Sequence, residues 1–219
     1  MAKVRLIGDI HGKWYDYQAV TSEADRSVQV GDFGIGFSGP YWHDRVNEFH
    51  ADGNHRFIRG NHDSPNKCKE MVGWIPDGTV EDDVMFIGGA WSIDWAYRTE
   101  GISWWRNEEL SYDELSRLVD VYKEAKPRVM ITHDAPYQIP VDLNLGFSGV
   151  EYRKTRTALA FQEMFEVHQP DFHFFGHWHK TVMTKINGTM FVCLNELDWV
   201  DVDLENSDLT EQSLIEKFS

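Results

Sequence analysis

Apolar and polar positions along the chain follow two rhythms. Short apolar, β-branched or aromatic runs recur at "VRLI" (4–7), "SVQV" (27–30), "RFIR" (56–59), "VMFIGG" (84–89), "RVMIT" (128–132), "FHFF" (172–175) and "TMFVCL" (189–194). Runs of this length, bounded by Gly, Asp or Asn, predict buried strands. Between them lie stretches of helical period at 14–24, 41–50 behind Pro40, 107–125 and 153–167. In 107–125, Leu110, Leu115, Leu118, Val119 and Tyr122 keep helical spacing, acidic residues precede them, Lys123 and Lys126 close the segment, and Pro127 stops it. Strands alternating with helices predict a layered α/β fold. The sequence contains no repeat, low-complexity linker or visible boundary, so it reads as one domain over residues 1–219. The stretch 134–150 is the longest without a period, and an aperiodic piece of that length inside a compact domain is often a functional loop. The acidic tail from 203 predicts one short helix at 209–218.

Composition narrows the classes. The net charge is −15, which argues against a long nucleic acid as partner, since a phosphate backbone calls for clustered Lys and Arg. Cys68 and Cys193 are the only cysteines and imply no disulfide framework. The first residues lack the apolar core of a signal peptide, and no apolar stretch approaches the roughly 18 residues of a membrane span. A cytoplasmic protein with no membrane association is expected. The oligomeric state is left open.

The candidate chemistry sits where the strands stop. After "RLI" comes Gly8-Asp9-Ile10-His11-Gly12; after "SVQV", Gly31-Asp32; after "RFIR", Gly60-Asn61-His62-Asp63; after "RVMIT", His133-Asp134; after "FHFF", Gly176-His177-Trp178-His179. Each alone is an ordinary turn or strand end. Together they place Asp, Asn and His at five strand ends. In α/β sheets, ligands bind at the carboxyl ends of strands. Imidazole nitrogens with carboxylate oxygens are the usual donors to borderline divalent metals.

The order D-x-H, GD, GNH[DE], H, GHxH resembles that of the calcineurin-like metallophosphoesterase superfamily, and all five motifs are present between residues 9 and 179. The resemblance implies a four-layer α/β/β/α sandwich with two mixed sheets, the second of which would take the late strands near 84–89, 189–194 and 199–204. It implies two divalent metal ions. Asp9, His11 and His179 match ligands of the first ion, Asn61, His133 and His177 match ligands of the second, and Asp32 matches the bridge between them. By resemblance Mn²⁺ is favoured, with Fe²⁺, Zn²⁺, Co²⁺ or Ni²⁺ compatible with the same donors. It further implies hydrolysis of a phosphoester by a metal-bridging hydroxide. His62, next to Asn61 but not itself matched to a ligand, is the natural general acid, and Asp63 is expected to orient its ring or raise its pKa.

The pattern departs from the Ser/Thr protein phosphatase branch. That branch carries Asp-Arg-Gly shortly after the second motif, whereas here the text is "GDFGIGFSGPYW", and the third motif is "GNHD" rather than "GNHE". The sequence looks more like the small bacterial or phage-type members. A small phosphodiester or phosphomonoester, such as a nucleotide, is the expected substrate. A phosphoprotein phosphatase, a nuclease or a non-catalytic binding scaffold on the same fold are the alternatives. The segment 88–106 holds four of the nine Trp and reads first as a buried aromatic cluster. The alternative is a substrate wall from which Arg98 or Arg106 reaches the phosphate. Arg153, Lys154 and Arg156, at a helix start, read as a solvated face, and Asp134 as a support for its neighbour His133.

Overall fold

A computed structural model describes residues 3–37, 39–145 and 154–204. Arg153, the end of the 134–150 stretch and the predicted tail helix lie outside them. One sheet has four strands, β1 (Val4–Ile7), β2 (Arg26–Gln29), β3 (His55–Phe57) and β10 (Trp199–Val202), in the order β10-β1-β2-β3. The other has six: β4 (Thr79–Glu81), β5 (Val84–Ile87), β6 (Val129–Thr132), β7 (Phe172–Phe175), β8 (Val182–Ile186) and β9 (Thr189–Cys193), in the order β4-β5-β6-β7-β9-β8. Both sheets are mixed: β1, β2 and β3 run parallel with β10 antiparallel, while β5, β6, β7 and β9 run parallel with β4 and β8 antiparallel at the edges.

Alternation along the strands builds the layers. Val4, Leu6 and Val28 face Val84, Phe86, Val129, Ile131, Phe172 and Phe174, and this inter-sheet core is continuous. The opposite face of the small sheet, with Ile7 and Phe57, is covered by α1 (Trp14–Thr21) and α2 (Pro40–Phe49) through Trp14, Tyr17 and Val46. The opposite face of the large sheet, with Met85, Ile87 and Met130, is covered by α4 (Tyr112–Ala125) and α6 (Arg156–Val167) through Leu115, Leu118, Tyr122, Phe161 and Met164. The result is the expected α/β/β/α sandwich.

Three expectations need correction. The strand at 199–202 joins the small sheet beside β1, not the second sheet with 84–87 and 189–193, because its register pairs Val202 with Val4 and Trp199 with Ile7. Helix α4 starts at Tyr112 rather than 107, because Ser111 forms a capping box with Glu114. Glu108 and Glu109 therefore lie outside the helix and are buried as acceptors for Ser92 and Thr157. The stretch 134–150 is not wholly aperiodic: after α3 (Pro65–Cys68), a further short helix, α5 (Gln138–Asp142), falls within it.

Candidate metal centre

The parallel strands of both sheets end on one edge of the sandwich, and the five motifs meet there. Asp9, His11, Asp32 and His179 each offer one donor atom, and these four atoms lie within 4.8 Å of one another. His11 Nε2 is 3.0 Å from His179 Nε2, which is 3.1 Å from Asp9 Oδ2. On the other side of Asp32, His133 Nε2 lies 3.2 Å from Asp32 Oδ1 and 3.0 Å from Asn61 Oδ1. The His177 ring stands 5.1 Å from that of His133. Asp32 thus faces both groups of donors, and all seven residues matched by sequence are brought together.

The backbone is bent to achieve this. His11, Asp32, His177 and His179 all have left-handed conformations, with φ of 46°, 59°, 67° and 47°. Such residues cost of order 1–3 kcal/mol each and persist only where surrounding contacts impose them. The contacts are visible. The N–H of His177 donates to Asp9 Oδ1 at 3.1 Å, and the N–H of His62 to Asp32 Oδ1 at 2.7 Å. His133 Nδ1 donates to the Val30 carbonyl at 2.9 Å, which turns Nε2 inward. Two glycines make room: a Cβ on Gly60 would lie 2.1 Å from Asp32 Oδ1, and one on Gly176 would lie 2.2 Å from Asp9 Oδ1.

Burial raises the Asp32 carboxyl, but the charge and hydrogen bond of His133, with help from His62 and His11, hold it well below the usual range. Burial in turn lowers His133, but Asp32 and then Asp9 overcome this and push it up to about 10. A pocket that draws a proton onto a buried histidine has surplus negative charge. With its imidazole nitrogens, carboxylate oxygens and one amide oxygen, it fits divalent cations of the first transition row. His177, by contrast, is desolvated to about 3 and presents a neutral ring, the form that ligates metal.

Supporting residues come from places the motifs do not reveal. Asn61 Nδ2 donates to Ser92 Oγ at 3.0 Å, and Ser92 donates to Glu108 Oε2 at 2.7 Å. This chain fixes which end of the Asn61 amide faces His133. No local signal marked Ser92 or Glu108.

Asp63 does not have the expected role. Its buried carboxylate accepts the N–H groups of Phe33, Gly34, Ile35 and Gly60 at 2.7–3.0 Å. Its oxygens are committed to backbone amides, so it pins the loop after Asp32 and does not orient His62. The partner of His62 is Arg98, whose Nη2 donates to His62 Nε2. Burial lowers the His62 ring below its ordinary value, against the pull of Asp32, and Arg98 lowers it further. Asp134 acts through the last motif rather than through His133: it accepts from the Trp178 indole at 3.1 Å, and burial raises it to about 6.

The two arginines part company. Arg98 is 13% exposed and is anchored by Asp94 at 2.8 Å and the Ser103 carbonyl at 3.2 Å. Arg106 is 77% exposed and is paired with Glu100, so the structure does not bring it to the cluster. The Trp-rich segment is not a buried core. Trp95 is 45% exposed, and Trp91, Trp104 and Trp105 are half-buried. Trp105 packs edge-on to Phe37, ring centroids 5.1 Å apart, and Phe37 in turn stacks near His62 at 6.1 Å. An aromatic wall therefore borders the centre on the His62 side.

A two-sheet sandwich with Asp, Asn and His converging from five strand ends defines a metallophosphoesterase-type protein. The calcineurin-like phosphoesterase profile matches residues 2–181, and the chain belongs to that family. Solved structures with a similar fold include a Staphylococcus aureus protein named as a candidate 5′-nucleotidase (12% identity, TM-score 0.54, covering 92% of this chain and 51% of that one). They also include the phosphopantetheinyl hydrolase of Mycobacterium tuberculosis (11% identity, TM-score 0.52, 89% of each chain). A third is GAP50, the anchor in the inner membrane complex of Plasmodium (12% identity, TM-score 0.50, 89% of this chain and 72% of that one). At these identities the likeness is one of fold. No curated protein sequence matches significantly.

Proposed function

We propose that the protein hydrolyses small phosphoesters, a nucleotide-like monoester or diester, at a dinuclear metal centre. In this reading Asp9, His11 and His179 hold one ion, Asn61, His133 and His177 the other, and Asp32 both. Mn²⁺ is the favoured ion. The observation that carries the reading is the convergence of five nitrogen and oxygen groups on the two buried carboxylates Asp9 and Asp32. When bound, two such ions supply Lewis-acid charge for a phosphoryl group and lower the pKa of water.

The chain's own groups do the rest. Arg98, held by Asp94 and Ser103, offers donors to a phosphoryl oxygen beside His62. His62, fixed through its backbone by Asp32, supplies a proton to the leaving oxygen once an anionic phosphoester takes the Arg98 donors off Nε2 and lets the ring protonate. Phe37 and Trp105 shield that side from water and give the leaving group an apolar surface. A long nucleic acid is disfavoured by the −15 charge, whose field reaches over a Debye length of roughly 8–10 Å. A cytoplasmic setting is supported by two free, buried thiols, Cys68 and Cys193. Among the described residues no helix is long and apolar enough to cross a membrane. A pure binding scaffold would have no need of seven filled ligand positions.

The test is ion content together with a substrate panel in added Mn²⁺: cyclic and linear nucleotides, nitrophenyl mono- and diesters, a phosphopeptide, and DNA. Two ions and turnover of the small esters are expected. No bound ion and no turnover with any divalent cation would overturn the reading, and a specificity constant far higher for DNA or the phosphopeptide would overturn the substrate class.

A further inference from the structure

Parallel strand β9 also ends on the catalytic edge, and the turn after it, Asn195–Asp198, lies beyond the residues matched by the family profile. This turn is locked against the first motif. Leu197 N–H donates to the Asp9 carbonyl at 3.0 Å, and Gly8 N–H donates to the Asp198 carbonyl at 2.8 Å. Leu197 itself has a left-handed φ of 58°, a strained conformation for a leucine. A Cβ on Gly8 would fall 2.0 Å from the Asn195 carbonyl oxygen, so the close approach requires glycine.

The consequence of this packing is the place of Glu196. Its Oε1 lies 3.4 Å from His179 Nδ1 and 3.9 Å from His11 Nε2, while its Oε2 pairs with Lys13. His179 is thus held between two carboxylates, Glu196 on Nδ1 and Asp9 on Nε2.

We propose that Glu196 is a positioning residue for the ion held by Asp9, His11 and His179: it keeps the His179 proton on Nδ1, aims the Nε2 lone pair at that ion, and biases affinity toward it, with Lys13 sharing its charge. The proposal rests on the dinuclear reading of the site. A carboxylate behind a metal-ligating histidine fixes the ring and strengthens the ligand, and its removal typically costs about 10–100-fold in metal affinity. In the second group, by contrast, His133 Nδ1 meets a neutral carbonyl, that of Val30. His179 and His133 are therefore backed unequally, one by a carboxylate and one by a carbonyl.

The experiment is a Mn²⁺ titration of metal-free protein followed by electron paramagnetic resonance, with thermal midpoints of the metal-free proteins measured alongside. Wild type is expected to take up two ions. Glu196→Ala weakens one of the two by ~10–100-fold and leaves the other unchanged, with no change in the metal-free midpoint. Glu196→Gln recovers at most part of the loss, because an amide oxygen in the same place still faces Nδ1 but carries no charge. Lys13→Met, which leaves the Glu196 charge unshared, tightens the same ion. In His179→Ala the Glu196→Ala change adds nothing further, since the two act as a unit. Unchanged affinity for both ions in Glu196→Ala would overturn the proposal. So would equal weakening of both together with a lower midpoint, which would make Glu196 a prop for its turn. A wild type that takes up no Mn²⁺ would instead overturn the dinuclear reading.

Discussion

The Asp32 carboxylate accepts the backbone N–H of His62 at 2.7 Å through the same oxygen, Oδ1, that lies 3.2 Å from His133 Nε2. One atom therefore ties the centre of the cluster to His62, the residue proposed as general acid. Changes at Asp32 and changes at His62 are coupled through this contact.

Asp32→Asn should be the most damaging single change among the seven cluster residues. It removes the one side chain that faces both groups of donors and the charge that offsets His133. Metal stoichiometry measured beside turnover checks this. Two retained ions with near-normal turnover would show that Asp32 does not bridge.

His62→Ala should lower kcat by about 10²–10⁴-fold with metal content intact. The loss should shrink for nitrophenyl esters, whose leaving groups need little protonation. Arg98→Ala should act mainly on KM, because Arg98 is anchored as a donor beside His62 rather than at a reacting oxygen. Kinetics of both variants on one alkyl and one nitrophenyl ester separate the two roles. Equal loss of kcat from His62→Ala across leaving groups would move His62 to phosphate binding.

Ser92→Ala should destabilise the metal-free protein by about 1–3 kcal/mol, because buried Glu108 Oε2 and Asn61 Nδ2 both lose the Ser92 hydroxyl, although Glu108 Oε1 keeps the Ser92 backbone N–H. It should also weaken one ion, through an Asn61 amide free to flip. Urea unfolding without metal and Mn²⁺ titration read the two effects separately. Unaltered binding would show that Asn61 is held by other contacts.

Stability should fall on mild acidification. Burial, reinforced by His55 against the pull of Asp52, lowers His50 to about 3, and burial lowers His173 to about 3. Both rings are thus neutral when folded. The unfolded chain binds their protons below about pH 6.5, so unfolding gains protons as pH drops from about 6.5 toward 3, at roughly 1.4 kcal/mol per pH unit for each group. Urea unfolding of metal-free protein at pH 7.5, 6 and 5 measures the slope. Replacing His50, which is bonded to the Tyr17 hydroxyl, by Gln should remove about one proton's worth of it. A flat profile would mean that these rings are protonated in the folded state.

Much of this protein is written locally. The apolar runs at 4–7, 84–87, 129–132, 172–175 and 189–193 became strands nearly as read, because a buried strand needs only a few consecutive apolar residues. The residues of the centre were legible for a similar reason: each follows its strand by one to four positions, and the parallel strands deliver those ends to one edge. Tertiary structure alone decided the rest. Which sheet receives Trp199–Val202 depends on pairing with Val4–Ile7, nearly the whole chain away. Asp63 looked like a support for His62 because the two are adjacent, yet its acceptors are filled by amides about thirty residues earlier. Arg98 and Arg106 look alike in sequence, and only the turn through Asp94 and Ser103 sends one toward His62 while Glu100 keeps the other outside. Sequence order specifies strands and the residues just after them. Which buried polar atom meets which partner is set by the packing of distant segments, where each unpaired group costs about 1–3 kcal/mol and the fold must satisfy them together.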